Sequence, residues 1–180
     1  MKQTDTHEDF LHRTHLFNLN GCIGRGAYDV AQFPKATDFI AHLDYLNIDR
    51  SLVWQVAARD LSPIVGNRLL LNELDEFELT ERLYPVFVIT PACFYERGVL
   101  EYLHEQLSSG RVRALIISPR FARFSVLQIE RLLCELAQYE PLLIWGDSHG
   151  TAEFQGFYQL AQKLTQISFI LSDRMWGEYT

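Results

Sequence analysis

A repeated alternation of short apolar runs with longer segments of helical spacing constrains this chain more than any other feature of its sequence. The runs are His15–Leu19, Ser51–Val56, Tyr84–Thr90, Val112–Ser118, Leu142–Trp145 and Ser168–Leu171. Most are continuously apolar rather than alternating, the pattern of strands covered on both faces and hence of a parallel sheet. The intervening segments carry readable helix signals. Pro34 suits a first helical turn, and Ala36, Phe39, Ile40, Leu43 and Leu46 follow at helical spacing. Ser62 and Pro63 form an N-cap and N1 pair ahead of Ile64, Leu70, Leu71 and Leu74. Ser125 and Gln128 make a capping box before Ile129, Leu132, Leu133 and Leu136. The segment from Arg97 to Ser109 ends at Gly110, and Thr151 can cap a helix carrying Phe154, Phe157 and Leu164. The order of elements is therefore six strands separated by five helices.

Two α/β architectures satisfy that order: an open doubly wound sheet, and part of a (β/α)8 barrel. A complete barrel takes roughly 250 residues, so this 180-residue chain holds about three quarters of one. The fold expected is a partial (β/α)8, TIM-barrel-like domain of about six parallel strands over residues 15–180, preceded by an extension over 1–14. The balance of 16 Lys and Arg against 23 Asp and Glu gives a net charge of −7 and leaves no basic face to collect phosphates, which excludes nucleic acid as a partner. Cys22, Cys93 and Cys134 are odd in number and far apart, so they spell neither a disulfide framework nor a CxxC motif. A reducing cytoplasm fits that usage. No run approaches the roughly 18 apolar residues of a membrane span, and the first residues lack the apolar core of a signal peptide.

In either architecture, ligands gather at the C-terminal ends of the strands. The first strand leads into Phe17-Asn18-Leu19-Asn20-Gly21-Cys22-Ile23-Gly24-Arg25-Gly26. Its glycines run G-x-x-G-x-G, which is neither the dinucleotide fingerprint nor a Walker loop, and an ordinary strand-to-helix turn accounts for them.

Here the chain resembles the amidohydrolase-related family of metal-dependent hydrolases and decarboxylases, built on a (β/α)8 barrel. Members open with a pattern like F-D-x-H-x-H-x-G, onto which Phe17 to Gly24 can be laid. The likeness continues through Leu46-Asn47-Ile48-Asp49-Arg50-Ser51-Leu52-Val53, Gly66-Asn67-Arg68, Leu83-Tyr84-Pro85-Val86-Phe87 and Thr90-Pro91. It covers most of residues 16–173 and implies a hydrolase-derived domain. On this register the family's aspartate falls on Asn18 and its metal histidines on Asn20 and Cys22, and neutral Asn is a poor transition-metal ligand. Trp145-Gly146-Asp147-Ser148-His149-Gly150 follows the fifth strand, where the family places a histidine, and Asp173 stands where another would follow the sixth. The family's eighth-strand aspartate has no counterpart, so the chain reads as a shortened gene or a fragment of a longer one.

Three readings of the site remain open. Cys22, His149, Asp147 and Asp173 could hold a metal as a mixed set, with zinc or another divalent ion at less than full occupancy. A metal-free hydrolase or decarboxylase could use His149 as general base, oriented by Asp147 or Asp173. The chain could instead be a non-catalytic relative, a small-molecule-binding or interaction protein using the same barrel face. Asn20, Arg120 and Trp145 are the candidate substrate contacts, Arg120 because its planar fork suits a carboxylate. His12 and His15 precede the first strand, remote from that face, and Cys93 and Cys134 read as structural. Six strands cannot easily close a barrel, so open edges are expected to promote self-association, with Met175, Trp176 and Tyr179 in the contact.

Overall fold

The computed structural model describes residues 15–27, 31–119, 121–146 and 151–171. Its strands are β1 (Leu16–Ile23), β2 (Ile48–Gln55), β3 (Leu83–Val88), β4 (Ala114–Ile117), β5 (Leu142–Trp145) and β6 (Ser168–Leu171). They form one sheet in the order β1-β2-β3-β4-β5-β6, and every neighbouring pair is parallel. The sheet curls into a half-barrel. Because the strand order never reverses, the doubly wound alternative, which needs a switch point, is excluded.

The helices are α1 (Ala36–Tyr45), α2 (Val56–Asp60), α3 (Pro63–Glu76), α4 (Val99–Ser108), α5 (Glu130–Leu136) and α6 (Thr151–Lys163). Alternate strand residues face them. Phe87, Ile89, Leu115, Ile117 and Leu143 pack with Leu103, Leu132, Leu136 and Leu160, while Ile23, Val53 and Leu83 pack with Phe39, Leu70 and Leu74. The other face buries Leu52, Trp54, Val86, Val88, Ala114, Ile116 and Ile144 against one another. A strand apolar on both faces is what continuous apolar runs encode.

The caps hold the helices in register with the strands. Ser62 Oγ accepts from Val65 N at the start of α3, as the Ser-Pro pair predicts. The capping box of Ser125 and Gln128 is formed, but it opens a 3-10 turn over Val126–Ile129 that runs into α5. α1 starts two residues after Pro34, and its first amide, Ala36 N, donates to Glu73 Oε1 on α3 at 2.6 Å. The pairing of β2 with β3 runs from Ser51–Leu83 to Val53–Pro85. Beyond it, the buried Asn67 of α3 gives Nδ2–H to Val88 O and takes Val88 N–H on Oδ1, each at 3.0 Å, completing the backbone bonding of β3 with a side chain. Among the described residues no helix is long and apolar enough to cross a membrane.

Candidate functional site

The C-terminal ends of β1 and β2 are tied together by side chains. β1 is irregular between Asn18 and Gly21, which lie opposite Ser51 and Val53, so three residues on β1 match two on β2. The bulge breaks the alternation that would have set Asn18, Asn20 and Cys22 on one face. Asn18 turns to Ser51, giving Nδ2–H to Ser51 Oγ at 3.1 Å. Asn20 reaches the other face, where its Oδ1 accepts from Trp54 Nε1 at 2.9 Å, and Cys22 packs there partly buried against the Trp54 cluster. The following loop is a turn: Gly24 takes φ +91°, and a Cβ there would lie 1.9 Å from Gln55 Oε1. Gln55 in turn caps α2, its Oε1 accepting from Ala57 N.

α2 delivers two charges to this rim. Arg59 Nε donates to Asp60 Oδ1 at 2.7 Å, and both side chains are buried, 8% and 5% exposed. The guanidinium carbon stands 4.4 Å from the Phe121 ring centre and 5.5 Å from that of Trp54. A buried cation is tolerable only with such partners, and the low local dielectric strengthens each contact. Among the described residues Asp60 Oδ2 is buried without a hydrogen-bond donor. Gly26 passes so close that a Cβ on it would lie 2.0 Å from that oxygen.

A cavity of about 740 Å³ opens beside this pair, between the ends of β2, β3 and β4. Its walls include Arg59, Asp60, Thr90, Phe121, Arg123 and Gln128. A larger depression, about 1150 Å³, lies at the opposite, N-terminal ends of β1, β2 and β3, around His15, Phe17, Asp49, Arg82 and Tyr84. There the polar groups mostly serve the scaffold. Arg82 bonds Asp44 Oδ1 at 2.8 Å and the carbonyls of Ile48 and Asp49, and His15 Nδ1 meets Asp49 Oδ2 at 2.5 Å. The smaller cavity is the better candidate, because parallel sheets present their loops and chemistry at the C-terminal ends.

Of the residues expected to form the site, Asn20 and Cys22 are on the described rim. Trp145 is not: it is 1% exposed and packs its ring 4.4 Å from that of Phe157, in the layer between sheet and helices. β5 is apolar throughout, so its sequence does not tell inward from outward positions. Arg120, Asp147, His149 and Asp173 lie outside the described residues, as do His12, Met175, Trp176 and Tyr179. Among the described residues no three of His, Cys, Asp and Glu gather as metal ligands, and Asn20 Oδ1 is committed to the Trp54 indole. Cys93 is buried beneath the turn after β3, and burial pushes its thiol up to about 11, making it a structural residue. Cys134 is exposed. Arg59 and Asp60 were not anticipated from the sequence; the adjacent opposite charges after an apolar strand were the available signal.

No family model and no curated protein matches the chain. Among solved structures, the chain is similar to a probable 2-pyrone-4,6-dicarboxylic acid hydrolase from Acinetobacter baumannii, crystallised with citric acid bound. The sequences are 14% identical, the TM-score is 0.56, and the match covers 88% of this chain and 57% of that one. The chain thus spans a little over half the length of that structure. What the two share is the fold, a curled sheet of parallel strands alternating with helices.

Proposed function

We propose that this chain is a hydrolase-derived barrel domain, related to the amidohydrolases, that receives a small molecule at the C-terminal rim of its strands with little or no metal-dependent hydrolysis. The observation that carries the reading is the Arg59–Asp60 pair, buried between Trp54 and Phe121 beside Asn20. A charged, rigid, largely desolvated group at the ligand-binding end of a parallel sheet serves recognition better than folding, since an apolar pair would fold at least as well. The fold shared with a protein named as a hydrolase supports hydrolysis as the reaction class. In this reading His149 takes a proton from the attacking water, Asp147 or Asp173 orients its ring, and Asn20 and Arg120 hold the substrate. Asn20 and Cys22 stand where the family carries its paired metal histidines, and Asn20 Oδ1 is committed to the Trp54 indole, which supports less than full zinc occupancy.

The test combines elemental analysis with turnover of a panel of esters and lactones in the presence and absence of a chelator. The expected result is less than one zinc or manganese per chain, and any turnover surviving chelation but lost in His149→Ala. One metal per chain that disappears in Cys22→Ala, with turnover requiring it, would overturn the proposal. The same rim serves a second reading, a non-catalytic binding protein. It is favoured by the way Asp60 and the two rings immobilise Arg59, and saturable binding without turnover would identify it.

A further inference from the structure

Between α4 and α5, on the helix-covered side of the sheet, three side chains form one hydrogen-bonded line. Glu135 and Tyr139 stand four residues apart where α5 passes into the 3-10 turn Ala137–Tyr139, so they share a face. That face meets His104 of α4. His104 Nε2 lies 3.1 Å from Glu135 Oε1, and His104 Nδ1 lies 2.9 Å from the Tyr139 hydroxyl oxygen. The imidazole and phenol rings meet edge-on, their centres 5.6 Å apart and their planes at 66°. Among the described residues no other histidine has both ring nitrogens bonded to side chains: His15 meets Asp49 through Nδ1, and His42 lies against the Phe33 ring. Tyr139 comes shortly before β5 begins, at the end of the strands opposite the C-terminal rim.

The chemistry of the three groups gives the line a direction. An ionised carboxylate only accepts, so in the neutral imidazole the nitrogen facing Glu135 is the one assigned the hydrogen. Nδ1 then presents a lone pair, and the Tyr139 hydroxyl donates to it. The line runs from phenol to imidazole to carboxylate. In that order a base, itself oriented by a carboxylate, draws the proton from a nucleophilic oxygen. The Tyr139 ring is packed against the main core cluster, which includes Leu103, Leu107, Leu133 and Leu136, and this packing fixes its oxygen. The His104 and Glu135 side chains remain 27% and 37% exposed, so a reagent in solution has access to the line.

From this geometry we propose that Tyr139 is a nucleophilic tyrosine that takes an acyl group from an activated acyl donor, with His104 as its base and Glu135 as the positioning residue that orients the imidazole. The Tyr139 oxygen attacks the acyl carbon, and a C–O bond forms there as the bond to the leaving group breaks. The phenolic proton passes to His104 Nδ1 and from it to the leaving group. The imidazole ends neutral, and the product is an aryl ester on Tyr139. This site is separate from the rim and does not depend on what binds there.

The probe is N-acetylimidazole, whose acetyl group passes to a tyrosine oxygen as imidazole leaves. The full chain is treated with it, and the rate of acetylation at each tyrosine is followed by mass spectrometry of proteolytic peptides, with the modified residue located by fragmentation. Tyr45 and Tyr95 serve as internal standards, because they are 84% and 87% exposed. Accessibility alone ranks both ahead of the half-buried Tyr139. An activated Tyr139 should reverse that order and react about tenfold or more faster than either. His104→Gln keeps an acceptor for the hydroxyl but removes the base, and should bring Tyr139 below Tyr95. Glu135→Gln keeps an acceptor for Nε2–H without the charge, and should slow Tyr139 by a smaller factor. Unchanged rates at Tyr45 and Tyr95 report that each variant is folded. In the parent chain, Tyr139 reacting no faster than Tyr95 would overturn the proposal whatever the variants do. So would a Tyr139 rate indifferent to His104→Gln.

Discussion

Arg59 and Asp60 are neighbours in sequence on a five-residue helix, and each is buried because the other is there. Removing one leaves the other charged and dry. Arg59→Ala should therefore cost about 3 kcal/mol or more in urea unfolding, while Arg59→Met combined with Asp60→Leu should regain most of that loss. A single variant as stable as the parent would show that the pair is solvated after all. Cys93 offers a second residue-scale check, through pH. Burial holds its thiol neutral up to about 11, against 9.0 in the unfolded chain, so between those values the unfolded state has lost a proton that the folded state keeps. Stability contributed by the neutral thiol is fully present below pH 9 and declines as pH rises toward 11, by up to about 3 kcal/mol. The parent should lose more stability than Cys93→Ala between pH 8 and pH 10.5; equal losses would show that Cys93 ionises freely in the native fold.

At the scale of elements, α3 seats directly on α2. A Cβ at Gly66 would lie 1.9 Å from Ala58 N, a backbone contact that cannot yield. Gly66→Ala should push α2 off its seat, cost about 2 kcal/mol by overpacking, and weaken ligand binding at the rim in the same variant. An unchanged unfolding midpoint would contradict that packing. The sequence made most of these elements legible, because continuous apolar runs report buried strands, and Ser-Pro and Ser-x-x-Gln report helix starts. It hid α2. The run from Ser51 passes into Val56-Ala57-Ala58 without a change in polarity, so an apolar strand and a short buried helix look alike there. The residues that build the rim, Arg59 and Asp60, went unseen for that reason. The bulge in β1 was equally silent: nothing in Asn18-Leu19-Asn20-Gly21 announces the extra residue that parts Asn18 from Asn20. Asp147, His149 and Asp173, reached through the resemblance alone, lie outside the described residues and await the tests above.

For the molecule as a whole, among the described residues β1 pairs only with β2 and β6 only with β5, so each has one open edge. Phe17 and Leu19 on β1 and Leu171 on β6 are nearly half exposed. Open, apolar edges template pairing with another chain. Sedimentation should show association that rises with micromolar concentration and falls in Leu171→Lys; a monomer at all concentrations, indifferent to that change, would show that the edges are protected. The two cavities give the most direct test of the central claim, that the C-terminal rim is the functional face. Isotope-labelled protein titrated with members of the ester and lactone panel should show its largest shifts at the Trp54 indole N–H, Arg59 Nε–H and the amides of Thr90 and Phe121. Shifts confined to Phe17, Arg82 and Tyr84, at the N-terminal ends of the strands, would contradict it.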